Sequence, residues 1–350
     1  IVAEVNISLS KTKKASKKIR ISNKKIGDKE KTFIVAEAGI NHNGRVKIAK
    51  ELVQKAYEIE ADAIKFQTFK ADDIASKKSK YYKLFSKLEL SDHEFEELND
   101  YAKKIGIIFL STPFSLNAVD FLDKINIPAF KIASGDLTNI PLIKHIGLKN
   151  KPVILSTGMS DQNEIKYAIK TILKTNNKKI ILLHSVSSYP TPPNETNLKV
   201  LTSWRNIFKY PLGYSDNGSN NLVPQIAVSL GAKFIEKHFT LSRKMKGPDH
   251  QSSADPQQFK KLITNIRLIE KMMGDGKKIC QKSELDNRIN ARRSITAIKE
   301  IKKGTQIKED MISMKRPATG IEPKFMKKII GKITTKNIKA DYSINWKDLS

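Results

Sequence analysis

From residue 32 onwards one pattern recurs along the chain: a short run of β-branched or apolar residues, a loop rich in Gly, Ser, Thr, Asn or Asp, then a longer amphipathic stretch. Alternation between a period of two and a period of 3.6 is the mark of βα units. The pattern predicts eight strands, at 32–39, 61–68, 107–113, 129–134, 152–158, 179–189, 211–216 and 232–240. Helical stretches follow, among them 46–60, 91–105 and 255–273, with Ser91 and Asp255 as helix caps. Eight units in about 240 residues fit a closed (β/α)8 TIM barrel, although an open doubly wound sheet leaves the same local marks.

The texture changes after Met273. Gly274, Gly276 and a charged stretch to Arg292 read as a linker over 274–292, which leaves 23–273 for the barrel. Residues 293–350 carry three short strand-like runs, at 294–298, 311–315 and 329–333, parted by turns at Lys303-Gly304, Thr319-Gly320 and Gly331. So short a segment supplies only a small core, so it is expected to pack on the barrel or on a neighbouring subunit. At the other end, ten of the 64 Lys and Arg fall within the first 31 residues, and 1–22 read as a disordered basic tail.

Composition removes several functional classes. The net charge of +28 raises the question of a polyanion partner. The excess is spread through Lys-, Ile- and Asn-rich sequence, however, and no basic stripe alternates with exposed aromatics, so no nucleic-acid partner is expected. Cys280 is the sole cysteine and has no internal partner for a disulfide. No apolar run reaches the roughly 18 to 20 residues that cross a bilayer, and no apolar signal core opens the sequence. A cytoplasmic protein with no membrane role is the expectation.

In a βα barrel the reacting groups lie at the carboxyl ends of the strands. Side chains alternate across a strand, so Lys65 and Gln67 share one face while Phe66 takes the other. The same parity groups Ser185, Ser187 and Tyr189, pairs Ser215 with Asn217, and pairs Glu236 with His238. Lys65 and Lys131, each inside an apolar run, together with these hydroxyls and an amide, describe a site for a small, strongly anionic ligand such as a phosphate ester bearing a carboxylate. His238 suits either a divalent metal or proton transfer, and Gly247-Pro248-Asp249-His250 adds a carboxylate and an imidazole to the same rim.

The ordered strings FIVAEAGINHNG, IKFQTF, STPFS, FKIASGD, ILSTGMS, LLHSVSSYPTP, GYSDNG, IEKHFTL and GPDH resemble those of the bacterial sialic acid synthases, and RRSITAIKEIKKGT with KRPATGI resembles their antifreeze-like SAF domain. The resemblance spans about 21–347. It implies a TIM barrel followed by a small SAF domain, in a domain-swapped homodimer. It also implies a transferase that condenses phosphoenolpyruvate with an N-acetylated hexosamine and water, releasing phosphate and a nine-carbon 2-keto acid. Carried over by position, Lys65, Gln67, Thr112, Lys131, Ser134, Ser187 and Ser215 match the phosphoenolpyruvate cradle. Glu37, Asp136, Tyr189 and Asp249 match positions near the sugar, and Arg293 of the pair Arg292-Arg293 would reach the sugar across the dimer. Glu37, Lys131, Asp136 and His238 are the expected catalytic groups.

Two departures from the family's pattern stand out. The histidine that usually follows Ser-Asp at the seventh strand is Asn217 here, so Mn2+ or Mg2+ would be held by His238 with Asn217 or a water. Ser187 stands where members making N-acetylneuraminate often carry asparagine, which leaves room for a related product such as legionaminic acid. Two other classes compete: a Schiff-base aldolase using a barrel lysine, and a non-catalytic protein that binds sugar or polyanion through the small domain.

Overall fold

The computed structural model describes residues 18–350, which divide into two compact units at Gly274/Asp275. In the first, β3 (Phe33–Gly39), β4 (Ala63–Thr68), β5 (Ile108–Pro113), β6 (Phe130–Ile132), β7 (Val153–Ser156), β8 (Ile180–Ser185), β9 (Leu212–Asp216) and β10 (Phe234–His238) close into a parallel barrel in which β10 pairs with β3. This is the (β/α)8 architecture, and all eight strands lie within the predicted spans. Helix starts follow the chemistry read from the sequence. Ser91 caps Asp92–Ile105 in a reciprocal box with Glu94, and Asp255 caps Pro256–Met273 in the same way with Gln258. Gly213 in β9 is fixed by close approach, since a Cβ there would lie 2.5 Å from both Leu183 Cδ2 and the Phe234 carbonyl oxygen.

The barrel wall sorts side chains by parity. Ile34, Ala36, Ile64, Phe66, Phe130 and Tyr214 join the helices in the outer core. Phe33, Val35, Ala63, Leu110, Ala129, Ile154, Ile181, Leu183 and Phe234 form a separate core inside the cylinder. Every inward row therefore begins apolar at its amino end and leaves the carboxyl end for polar groups. The floor is closed by an antiparallel hairpin, β1 (Ile19–Ile21) and β2 (Lys24–Ile26), whose Ile19, Ile21 and Ile26 belong to that inner core. The expectation of a tail through residue 22 is corrected here. Ile19, Ile21 and Ile26 let 19–26 bury apolar surface against the barrel, a gain that outweighs its lysines, which stay exposed. The remainder of that expectation, residues 1–17, lies outside the described residues.

In the second unit β11 (Ser294–Ala297) and β12 (Ile312–Lys315) pair antiparallel, and isoleucines at 295, 301, 307, 312, 321, 329, 338 and 344 form its core. The strand expected at 329–333 is absent: Ile329 ends the helix Met326–Ile329, and Gly331 turns the chain with φ +87°. Only Ile333 makes a bridge there, to Gln306. The stretch read as a linker carries a helix, Leu285–Ala291, and the Ile289 carbonyl accepts from Ala318 N at 2.7 Å within the second unit. Among the described residues no helix is long and apolar enough to cross a membrane.

If the hairpin is the barrel's floor, Ile21→Ala should cost about 2–5 kcal/mol of stability, because the fully buried side chain leaves a cavity that a rigid cylinder cannot collapse. Urea unfolding of the full chain measures it, and a loss below about 1 kcal/mol would contradict this packing.

Candidate active site

Above the inner core the inward rows turn polar at one height, where Glu37, Lys65, Thr112, Lys131, Ser156, Ser185, Ser215 and Glu236 line a cavity of about 310 Å3 at the carboxyl ends of the strands. Gln67, Ser134, Ser187, Tyr189, Asn217 and His238 stand further along the same chain runs and line it too. Lys65 and Lys131, from β4 and β6, open into the same space, as the sequence requires of them if they are to hold one ligand.

Four buried charges dominate. Lys65 Nζ sits 2.6 Å from Glu37 Oε2, 3.6 Å from Glu236 Oε2 and donates to Thr112 Oγ1 at 2.9 Å. Glu236 in turn accepts from Ser215 Oγ at 2.9 Å and faces Lys131 Nζ at 3.8 Å. Glu37 also accepts from Gln67 Nε2 at 3.3 Å. Two ammonium groups and two carboxylates share a volume with little access to water, so each one's protonation is set by the others.

Burial opposes the charge on Lys65, but Glu236 and Glu37 outweigh it and hold its pKa above the ordinary lysine value. Lys131 is pushed down to about 8, first by burial and further by Lys65, against the pull of Glu236, Glu37 and Asp136. Its one hydrogen bond runs to the Ile132 carbonyl at 3.0 Å, so it is the cation with spare capacity. Burial raises Glu37 above the carboxylate range despite Lys65, whereas Lys131 and Lys65 together bring Glu236 below it. Tyr189, half exposed at the rim, is pushed up to about 12 by desolvation and by the carboxylates Asp249, Glu37 and Glu236.

The remaining sequence-derived candidates are spread more widely. Asp136 lies on the 3-10 turn after β6, half-buried, where Asn139 Nδ2 donates to it at 3.1 Å; burial raises its pKa. Asp249 sits by the end of β3, its carboxylate 3.8 Å from where a Cβ on Gly39 would be, a point that lies 3.3 Å from Glu37 Oε1 and 3.2 Å from Gln67 Nε2. Neither lines the cavity that holds the two lysines. Arg293 belongs to the second unit, where its Nη1 donates to the Met314 carbonyl at 2.9 Å.

Asn217 is buried and donates from Nδ2 to the Val186 carbonyl at 2.8 Å, while Thr191 N donates to its backbone carbonyl at 3.2 Å. On the outward face of the neighbouring strand β10 Lys237 is fully buried, donating to Asp216 Oδ2 at 2.5 Å and to the carbonyls of Gly218 and Asn220 at 2.7 and 3.2 Å. His238 has a buried Nδ1 without a hydrogen-bond partner, and the Tyr189 ring meets it edge-on at 5.6 Å. Among the described residues no group of three or more His, Cys, Asp or Glu is placed to hold a metal ion.

Glu236 was grouped with His238 by parity yet not assigned to the ligand, and it proves to be the link between the two lysines. Ser185, which parity groups with Ser187 and Tyr189, lines the cavity, and so does Ser156, which shares the inward parity of Ile154. Phe114 and Met159 line the same cavity and carry no titratable or hydrogen-bonding side-chain group that the sequence would mark.

The family model of the NeuB family matches residues 52–278, and that of the SAF domain matches 292–350. The chain belongs to the NeuB family. An uncharacterised protein of Methanocaldococcus jannaschii is 52% identical over 95% of this chain and 98% of its own. The N,N'-diacetyllegionaminic acid synthase of Campylobacter jejuni is 45% identical, covering 89% of this chain and 98% of its own. Among solved structures, the N-acetylneuraminic acid synthetase of Leptospira borgpetersenii superposes with a TM-score of 0.75 at 35% identity, covering 78% of this chain and 95% of that one. The last two make this NeuB-family chain a relative of enzymes that synthesise sialic-acid-type sugars.

A lysine whose charge fades near pH 8 should make anion binding pH-dependent. Lys131 is protonated below its pKa of about 8 and neutral above it, so affinity for sulfate, which does not itself titrate there, is expected to fall as pH rises from 7 to 9. Calorimetric titration reads it. A Kd independent of pH across that range would show that Lys131 does not hold the anion.

Proposed function

We propose that this chain condenses phosphoenolpyruvate with the open-chain aldehyde of an N-acetylated hexosamine, giving a nine-carbon 2-keto acid and phosphate. The observation that carries the reading is the shared cavity of Lys65 and Lys131. The acceptor we favour is a diacetamido-6-deoxyhexose, as the named activity of the Campylobacter relative suggests, rather than N-acetylmannosamine.

In this reading Lys131, Lys65, Gln67, Thr112, Ser134, Ser187 and Ser215 hold the phosphate and carboxylate of the donor. Carbon 3 of the donor forms a bond to the aldehyde carbon, and the aldehyde oxygen takes a proton. Glu37, its pKa raised by burial, can carry that proton. Water then adds at carbon 2 with loss of one proton, the bond from carbon 2 to the phosphate oxygen breaks as its electron pair leaves with phosphate, and loss of the remaining hydroxyl proton leaves the 2-keto group. The two ammonium groups meet the charge that gathers on the departing phosphate. Tyr189, Asp136 and Asp249 would orient the acceptor, and Arg293 would reach it from a second copy in a domain-swapped dimer.

His238 and Asn217 fit a divalent cation, Mn2+ or Mg2+, as a two-ligand set: an unpartnered buried imidazole nitrogen beside an amide whose donor end is engaged elsewhere. Such an ion would polarise the acceptor's carbonyl oxygen. One observation favours a second reading: the lowered pKa of Lys131 also suits a Schiff-base amine. Borohydride reduction with pyruvate would trap that aldolase and leave a synthase unmodified.

The direct test is phosphate release from phosphoenolpyruvate across N-acetylmannosamine and its diacetamido, 6-deoxy and 6-phospho relatives. Release with one of these supports the synthase, and release with none overturns it. Lys131→Ala is expected to lower turnover by about a hundred- to a thousandfold without loss of the thermal transition. Full turnover would remove Lys131 from the site.

The cation is tested separately. Chelation should lower turnover, and Asn217→His should tighten metal binding measured by titration, because imidazole is the better ligand for a transition metal. No change in either quantity would refute the ion.

A further inference from the structure

The cavity wall changes character towards its mouth. Phe114 and Met159 follow Thr112 and Ser156 by two and three residues, so they stand nearer the opening, after β5 and β7. The facing arc, from β9, β10, β3 and β4, is polar throughout.

Met159 is the unusual member. It is 72% exposed and holds a left-handed backbone with φ +62°, a conformation that non-glycine residues rarely adopt. It belongs to neither core of the barrel, so folding gives no reason for a large apolar side chain there. The turn that carries it is nevertheless fixed. Thr157 Oγ1 donates to the Leu183 carbonyl at 2.8 Å, Gly158 N donates to Ser134 Oγ at 3.0 Å, and Asp161 caps the helix Gln162–Lys174. Gly158 admits no side chain, since a Cβ would meet Ser187 Oγ at 2.2 Å. A rigidly presented, exposed thioether at the mouth of a polar cavity has an apolar surface that a ligand can cover.

We infer that Met159 and Phe114 form an apolar lip that selects the acceptor by its methyl-bearing edge, favouring a 6-deoxy, diacetamido hexose over one with hydroxyls at those positions. The inference rests on the proposed condensation. The donor is a compact anion and belongs low in the cavity with the lysines, so the groups at the mouth face the acceptor. A methyl group laid on this lip leaves water at no polar cost. A hydroxyl there gives up hydrogen bonds that neither side chain can replace.

The test is kcat/KM for phosphate release with 2,4-diacetamido-2,4,6-trideoxymannose and with N-acetylmannosamine, for the wild type, Met159→Ser, Phe114→Ser and the conservative Met159→Leu. The wild type should prefer the trideoxy sugar. Each serine variant should cut that preference by about tenfold, the size of one lost methyl contact, with the KM for phosphoenolpyruvate unmoved, and Met159→Leu should retain it. An unchanged ratio in both serine variants, or a wild type that prefers N-acetylmannosamine, overturns the lip while leaving the condensation standing. A wild type that releases phosphate with neither sugar overturns both.

Discussion

The site rests on a buried set of charges that nearly cancel. Glu236 faces both Lys65 and Lys131, and Glu37 holds Lys65 from the other side, so no ammonium group is left without a counter-charge in the absence of ligand. Removing ions from water is costly, and a pair in a poor dielectric is tolerable only when its partners are fixed. The barrel fixes them by placing each on a different strand. The bargain is uneven, since Lys65 is tightly held while Lys131 keeps one backbone hydrogen bond and a long ion contact. The cavity thus holds one closely paired cation and one loosely paired cation side by side.

That arrangement depends on the axial gradient of the cylinder. Below the charged layer every inward position is apolar, and the hairpin of Ile19, Ile21 and Ile26 completes the seal. Water is kept from entering beneath the charges, and the low dielectric that shifts Lys131 is a product of that floor. Fold and electrostatics are therefore one construction, in which strand parity supplies the wall and the isoleucine hairpin supplies the base.

Much of this could be read in the sequence, because the barrel's two rules are local. Alternation along a strand sends Lys65 and Gln67 inward and Phe66 outward, and the caps at Ser91 and Asp255 use side-chain oxygens within four residues of their targets. What escaped reading was non-local. The first strand of the hairpin, 19–21, reads as part of a solvated basic tail because its value lies in contact with strands far along the chain, such as those of Ile181 and Phe234. Glu236 was visible as an inward group, but its part as a bridge depends on lysines more than a hundred residues away. The segment 329–333 has the composition of a strand, yet Gly331 in a left-handed turn and the helix before it divert the backbone.

The knot made by Lys237 has an effect beyond its own burial. It grips Asp216, Gly218 and Asn220 and so spans position 217 without involving that side chain. The backbone on either side of position 217 is anchored from beneath by one buried ammonium group, so the course of this rim segment is set by the outward face of the neighbouring strand as well as by the contacts Asn217 makes itself.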